Sequence, residues 1–341
     1  MPVRSTSRRD FLVLLGAAAG TAGCGSALGG GPRPTSTLRY QGWAGVVTPA
    51  ELAEDLGYLG GVTLQWVGNT TSGPQDIQSA ATGEVDFGGA FNGAVVRMAA
   101  AKAPVKAVIS YYGTDEERYT GFYVREDSAV REPRDLIGKK VAMNTLGGHS
   151  QAMLDTYLRR HGLEPSQIDQ VQQVAVPPVN IEQSLRKGQI DVAALSDITR
   201  DKLLERGGVR ELFNDHDMLG SFSAGTYVMA DRFLELNPET SRTFVTGVAR
   251  ALEWARARPR EEVIDRMVRV VRRRKRNEDA DPLRYFLSYG VAGTGGRIAE
   301  KELTVWADWL AERGDINRDR FSVRDIYTNA YNRYRAGSRA A

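Results

Sequence analysis

Short segments typical of β-strands alternate with segments of helical spacing along most of this chain. Strand-like runs at 37–41 and 62–67 enclose a helix-like run at 49–56, and the same alternation restarts after the strand-like run 119–124. Strands that alternate with helices form a largely parallel sheet covered on both faces. Because about 300 residues are more than one hydrophobic core usually serves, we expect two lobes. The sequence therefore predicts an α/β fold with two lobes.

Two further patterns refine this prediction. The runs 85–87 and 105–110 complete the strands of the first lobe, and helical spacing dominates from 238 to 271. We expect the last third of the chain to form helices that close one lobe.

The first 23 residues have the features of an export leader. Their apolar stretch, 11–23, is shorter than the roughly 20 residues of a transmembrane helix. Arg8 and Arg9 resemble a twin-arginine export signal, and the small residues before Cys24 resemble a lipoprotein cleavage site. We therefore predict a signal at 1–23, a lipid on Cys24, a flexible linker at 24–36 and a location on the outer face of the cell membrane. Thr21 replaces the usual Leu, so cleavage elsewhere with loss of Cys24 is the alternative.

Charge and cysteine content exclude several classes of function. Without residues 1–23, which hold three of the 45 Lys and Arg and one of the 42 Asp and Glu, the balance is 42 to 41. Nucleic acid is therefore not an expected partner, because phosphate binding needs a sustained basic face. We interpret the basic run 272–276 as a solvated helix end, with contact to anionic lipid as the alternative. A single cysteine excludes an internal disulfide and a zinc site of several thiolates, and no metal or cofactor is predicted.

Ligands of open α/β sheets bind beyond the carboxyl ends of the strands, so the loops there are candidates for the site. The loop 144–150 is the richest, because Gly147 and Gly148 let the backbone approach a ligand and free amides at a helix start favour an anion. An ordinary turn with Ser150 as N-cap is the alternative. The loop 70–73 offers a second set of donors, or only a capped turn.

Other loop residues complete the predicted site. Trp43 would pack on an apolar part of the ligand or in the core of a lobe, and Asp197 would receive an ammonium group or cap its helix. His149 is the one histidine in a predicted cleft loop, and no second residue completes a catalytic pair with it. We predict no catalytic residue. The predicted ligand-binding residues are Gln41, Trp43, Thr70, Thr71, Ser72, Gly73, Phe91, Asn92, Gly147, Gly148, His149, Ser150 and Asp197.

Four ordered segments carry a family resemblance. The segments 73–88, 125–142, 188–193 and 237–239 resemble, in the same order, motifs of the solute-binding proteins of nitrate, taurine and aliphatic sulfonate ABC importers. The resemblance implies a type II periplasmic-binding-protein fold, with two α/β lobes joined by crossover strands near 111–113 and 223–226, and with C-terminal helices. Lobe I would comprise 37–112 and 226–341, and lobe II 113–225.

The resemblance also implies a function. A monomer would capture a small anionic solute by lobe closure and deliver it to ABC permease subunits. A sulfonate is the first choice, with nitrate or a thiamine-precursor pyrimidine as alternatives. Some enzymes share this fold, including a pyrimidine-forming enzyme of thiamine synthesis with a cysteine-rich signature, but the one cysteine here is Cys24. An exported enzyme or a ligand sensor stays open as a second class.

Overall fold

A computed structural model describes residues 34–335. The predicted signal, with Arg8, Arg9 and Cys24, therefore lies outside the described residues. The strands are β1 Thr37–Gly42, β2 Thr63–Asn69, β3 Gly88–Phe91, β4 Val105–Thr114, β5 Thr120–Arg125, β6 Lys140–Met143, β7 Gln172–Ala175, β8 Val192–Ser196, β9 Val209–Asn214 and β10 Phe222–Ala230. The α-helices are α1 Pro49–Asp55, α2 Gly73–Thr82, α3 Asn92–Ala100, α4 His149–Arg160, α5 Pro165–Ile168, α6 Pro178–Arg186, α7 Asp197–Arg206, α8 Asp215–Leu219, α9 Asp231–Leu236, α10 Pro238–Ala257, α11 Arg260–Arg274 and α12 Lys301–Glu312.

The strands form three sheets, with orders β1-β2, β3-β10-β4 and β7-β6-β8-β5-β9. β1 and β2 are parallel, and β6 is parallel to both β7 and β8. The expectation of largely parallel sheets is wrong for the three-stranded sheet, where β10 runs antiparallel to β3 and β4. It is wrong for β5 as well, which is antiparallel to β8 and β9. Two parallel neighbours need a crossover connection, usually a helix, between them. These antiparallel strands instead pair with a segment of the chain that runs in the opposite direction.

The strand predicted at 85–87 lies at 88–91 instead. The backbone N–H groups of Glu84 and Val85 donate to the Ser79 carbonyl, so this segment closes the end of α2. Val85 and Phe87 are buried as expected of a strand, but they pack in the core from a turn. The strand itself is Gly-Gly-Ala-Phe, whose small residues gave no hydrophobic pattern.

β4 and β10 connect the parts of the fold. They pair antiparallel from Thr114 and Phe222 at one end to Val105 and Ala230 at the other. The two segments predicted as crossovers, 111–113 and 223–226, lie within these strands. β5 follows β4 directly and β10 follows the last strand of the five-stranded sheet, so the chain enters and leaves that sheet through one pair of strands.

The C-terminal third is helical, as predicted. The helical region 238–271 is divided into α10 and α11 at Pro259, which cannot continue the α10 hydrogen bonds. α10 packs on α1, and α12 packs on α3. One hydrophobic cluster joins Ile77 and Val95 to Phe122, Met153 and Trp306, so it runs from α2 and α3 to β5, α4 and α12.

The basic run at the end of α11 is only in part the solvated helix end that we expected, because Arg272, Arg273 and Lys275 are exposed but the other two arginines are not. The Arg274 and Arg276 side chains are 8% and 10% exposed, and both pair with Glu51 of α1, at 3.0 and 2.8 Å. Arg276 also donates to the Tyr40 hydroxyl and lies 4.5 Å from the Trp66 ring. The run therefore ties α11 to α1, β1 and β2.

Within residues 34–335, none of the helices combines the length and the hydrophobicity that a membrane span needs. In the same part of the chain, no three His, Cys, Asp or Glu side chains are grouped so that they could hold a metal ion.

Candidate ligand-binding cleft

A cavity of about 310 Å³ lies where the three-stranded and five-stranded sheets meet. β3, β4 and β10 line it from the three-stranded sheet, through Ala90, Tyr111, Tyr112 and Ala224. The loop after β6 and the end of β8 line it from the five-stranded sheet. It lies at the carboxyl ends of β6 and β8, which is the position that the sheet topology favours.

Aromatic rings form one wall of this cavity. Tyr111 and Tyr112 of β4 contact each other edge to face, with ring centroids 4.9 Å apart. Tyr111 lies against Gly89, where a Cβ atom would come within 2.7 Å of its ring, and Tyr112 lies still closer to the Cβ position of Gly225. Only glycine leaves room for these rings, because any side chain would displace them. Trp43 and Tyr289 extend the wall.

Three helices of ten or more residues begin at the cavity. The first residues of α2, α4 and α7 line it, and none of the three helices has a side-chain hydrogen bond at its N-cap. By contrast, Thr48 and Glu51 close the start of α1 with a capping box. The first N–H groups of an α-helix have no intrahelical acceptor and carry the positive end of the helix dipole. The cavity therefore offers three starts of helices with donors for an anion.

Seven of the predicted site residues line the cavity. They are Trp43, Gly73, Phe91, Gly148, His149, Ser150 and Asp197. The other six, which are Gln41, Thr70, Thr71, Ser72, Asn92 and Gly147, are not among its lining residues.

For three of these six residues, hydrogen bonds within the protein explain why their polar groups are not available to a ligand. The Thr70 hydroxyl donates to the Ser72 carbonyl, 3.0 Å away, so this side chain is paired within its own loop, although it does not cap α2. Asn92 is fully buried and its amide donates to the Ser223 and Glu302 carbonyls. The Gly147 N–H donates to the Gln151 side chain, 2.5 Å away, so it is already paired.

His149 has the partner that the sequence did not reveal. Its Nε2 lies 2.6 Å from Oδ2 of Asp215, the first residue of α8, which is fully buried. Asp215 also accepts from the Thr114 hydroxyl at 3.0 Å and from the Thr120 N–H at 2.9 Å. The Phe91 and Trp306 rings contact the imidazole edge to face. The carboxylate therefore fixes the orientation of His149 at the cavity.

Arg118 is the charged site residue that sequence analysis missed, as it also missed the tyrosines of the aromatic wall. It lies in the β4–β5 connection, lines the cavity and pairs through two nitrogens with Asp197: Nε–Oδ1 is 2.6 Å and Nη2–Oδ2 is 2.7 Å. Its Nη1 donates to the Gly113 carbonyl, and the Tyr112 ring centroid is 5.5 Å from its Cζ. Arg118 belongs to the charged run 115–118, and no pattern in the sequence distinguishes it from any other charged residue of a loop.

A second buried carboxyl group lies beside the aromatic wall. Asp76 in the first turn of α2 is 3% exposed and accepts the Gly89 N–H at 2.7 Å. Burial raises the pKa of Asp76 from 3.8 to about 7, and the hydrogen bond from Gly89 opposes this shift. Burial likewise raises the pKa of the Tyr112 hydroxyl, so the ring presents a neutral O–H.

The sequence of this chain also matches known proteins. The sequence profile described as NMT1/THI5 like matches residues 46–262, which is more than half of the chain. The chain belongs to the NMT1/THI5-like family. Curated relatives in sequence include a 4-amino-5-hydroxymethyl-2-methylpyrimidine phosphate synthase of Candida albicans, 26% identical over 230 residues, which are 62% of this chain and 64% of that protein. An aliphatic sulfonates-binding protein of Escherichia coli K12 is 27% identical over 201 residues, 58% of each chain. The chain thus spans less than two thirds of these relatives' length.

Solved structures establish the fold of this family member. The alkanesulfonate-binding protein SsuA from Xanthomonas axonopodis pv. citri, bound to MOPS, matches with a TM-score of 0.66 and 20% identity over 86% of this chain and 99% of that one. The nitrate-binding protein NrtA from Synechocystis PCC 6803 matches with a TM-score of 0.65 and 11% identity over 87% of each chain. The predicted periplasmic-binding-protein fold is therefore confirmed. The desulfurization enzyme DSZB has the same fold, with a TM-score of 0.61, 13% identity, and coverage of 86% of this chain and 97% of that one.

Proposed function

We propose that this protein is the extracytoplasmic solute-binding lipoprotein of an ABC importer and that it captures a small anionic organic solute, such as a sulfonate. The observation that carries the proposal is the start of three uncapped helices, α2, α4 and α7, at one cavity. Helix N-termini without side-chain caps are suited to the several oxygens of a sulfonate or nitrate. The names of the neighbouring sulfonate- and nitrate-binding proteins support the same ligand class.

The cavity also suits a ligand with an apolar body. Its volume of about 310 Å³ is at the lower end of small-molecule sites, and an aromatic wall faces the helix starts. An anionic head between the starts of α4 and α7 would place a short tail against Tyr111 and Trp43. Residues 37–112 and 226–341 would form one lobe and 113–225 the other, and closure of the lobes would bury the ligand.

A thermal-shift screen tests this function. We expect ethanesulfonate, taurine, MOPS or nitrate to raise the melting temperature, because a ligand that binds only the folded state stabilises it. Thr145→Trp, which fills the cavity, is expected to abolish the shift, and Leu146→Trp, at the exposed neighbour outside the cavity, is expected to retain it. No shift with any of these anions, or equal shifts in both variants, contradicts the proposal.

A pyrimidine ligand is the second candidate, because an aromatic wall can stack a flat ring and curated relatives are named as pyrimidine phosphate synthases. The matching probe is 4-amino-5-hydroxymethyl-2-methylpyrimidine. A shift with this compound alone favours an importer for it. Conversion of the compound, followed by mass spectrometry, favours an exported enzyme with His149 and Asp215 at its site. Uptake that survives deletion of the gene favours a ligand sensor.

The anchor is tested separately. We propose a lipid on Cys24 after export through the twin-arginine pair Arg8 and Arg9. Mass spectrometry of the mature N-terminus is expected to find a diacylglyceryl cysteine. Release of the protein from intact cells without detergent would contradict the anchor, and Arg8→Lys with Arg9→Lys is expected to block export.

A further inference from the structure

We propose that the Asp197 carboxylate pairs with Arg118 at the position that suits an anion and that the ligand's anionic group displaces it on binding. In this role, which we call a place-holder, Asp197 competes with the ligand for Arg118 and so sets the affinity of the site. It does not itself receive part of the ligand. This inference rests on the proposed function, because it needs an anionic ligand in this cavity.

The charges at the cavity lead to this inference. Among the described residues that line it, Arg118 is the only Lys or Arg and Asp197 is the only Asp or Glu. The carboxylate covers the Nε and Nη2 edge of the guanidinium at 2.6 and 2.7 Å, which is the edge that a ligand oxyanion would use. An anion in this cavity therefore meets an arginine whose best edge is already occupied.

Arg118 is held more firmly than its partner. Asp115 accepts the Arg118 N–H at 2.8 Å, and the Arg200 guanidinium donates to the Glu117 and Tyr119 carbonyls at 2.7 and 3.3 Å, so the loop is fixed on both sides of the residue. The Arg118 side chain is 16% exposed, whereas that of Asp197 is 38% exposed. The partner that can leave is Asp197.

The backbone conformation of Asp197 also supports this inference. Its φ of +51° is in the left-handed region, which is unfavourable for a residue with a side chain, although Asp adopts it more readily than most. The ion pair with Arg118 is the contact that holds this side chain across the cavity. Replacement of the carboxylate by a ligand oxyanion releases that constraint.

Calorimetric titration of the full chain with two matched probes tests the proposal. Ethanesulfonate carries only the anion, and taurine adds an ammonium group at the same chain length. If Asp197 is a place-holder, Asp197→Asn is expected to bind both probes about tenfold more tightly than the wild type, because a charged competitor for Arg118 is gone. Arg118→Gln is expected to lose most of the affinity for both.

Asp127→Asn is the matched control. The Asp127 side chain is 80% exposed, pairs with Arg125 at the surface and is not among the residues that line the cleft. The control removes the same charge and is expected to bind both probes like the wild type. Circular dichroism melts of all variants check that each is folded.

The remaining outcomes separate the two proposals. Unchanged or weaker binding by Asp197→Asn, with a wild type that binds, overturns the place-holder and leaves the sulfonate function standing. Weaker binding of taurine alone means that Asp197 receives the ammonium group, which also overturns it. Equal tightening in Asp127→Asn makes the effect one of net charge and overturns it too. If no variant binds either probe, both proposals fail.

Discussion

Asp76 shows how a single buried carboxyl group makes the stability of this protein depend on pH. It accepts one hydrogen bond, from the Gly89 N–H, and its other oxygen, Oδ1, is buried without a partner. Burial raises its pKa to about 7, so the folded protein holds this proton at a pH where the unfolded chain, with a pKa near 4, has lost it. The free energy of unfolding therefore decreases as the pH rises from about 4 to about 7.

The variant Asp76→Asn removes this dependence, because an amide keeps the acceptor for Gly89 and carries no charge. We expect the variant and the wild type to unfold alike near pH 4. Above pH 7 the variant should be more stable by on the order of 4 kcal/mol, since the pKa rises by about three units and each unit corresponds to about 1.4 kcal/mol. Urea denaturation at several pH values measures the difference. A difference that is the same at pH 4 and pH 8 would contradict the raised pKa.

At the scale of secondary-structure elements, the basic run at the end of α11 connects this helix to α1. Arg276 and Arg272 belong to one basic run, but Arg276 pairs with Glu51 at 2.8 Å and donates to Tyr40 at 2.7 Å, whereas Arg272 is exposed. Arg276→Ala is expected to lower the free energy of unfolding by about 3 kcal/mol, because it removes a partner from buried Glu51. Arg272→Ala is expected to change it by less than about 0.5 kcal/mol. Equal effects, measured by chemical denaturation, would mean that the run is a solvated helix end.

Asp215 connects four secondary-structure elements through its hydrogen bonds. It receives hydrogen bonds from β4, from β5 and from His149 of α4, and it begins α8. Asp215→Ala leaves the Thr120 N–H and the His149 ring without a partner, so we expect a loss of about 3 kcal/mol. Asp127→Ala, at an exposed pair with Arg125, should lose almost nothing. A melting temperature of Asp215→Ala equal to that of the wild type would contradict this role.

At the scale of the whole molecule, one hydrophobic cluster joins the two regions that flank the cleft. It contains Val95 of α3, Phe122 of β5, Met153 of α4 and Trp306 of α12. The Arg313 side chain beyond α12 pairs with the buried Asp155 of α4, which adds an ionic contact across the same junction. A shared core makes the two regions fold as one unit.

We therefore expect residues 34–335 to unfold in one cooperative transition. Calorimetry should give equal calorimetric and van't Hoff enthalpies, and tryptophan fluorescence and circular dichroism should follow the same curve. Two separated transitions would mean that each region has an independent core.

The sequence predicted the fold well, because alternating hydrophobic periods and ordered motifs are local signals. It missed β3, whose Gly-Gly-Ala-Phe has no period of two, and the antiparallel pairs made by β10, which depend on strands far apart in the chain. In the cleft, the helix starts at Gly73, Gly148 and Asp197 were predictable from loop position. The pairing of Arg118 with Asp197 and of His149 with Asp215 was not, since each joins residues more than 60 positions apart.

The pair β4 and β10 also limits how this protein can acquire new ligands by mutation. Tyr111, Tyr112 and Ala224 line the cavity, but their strands are also the connection between the sheets. Substitutions there alter this connection together with the pocket, whereas Trp43, Thr145 and Ser196 lie at loops or strand ends that can vary alone. Evolution or design of a new specificity is therefore expected to change these loop and strand-end residues and to leave Tyr111 and Tyr112 intact.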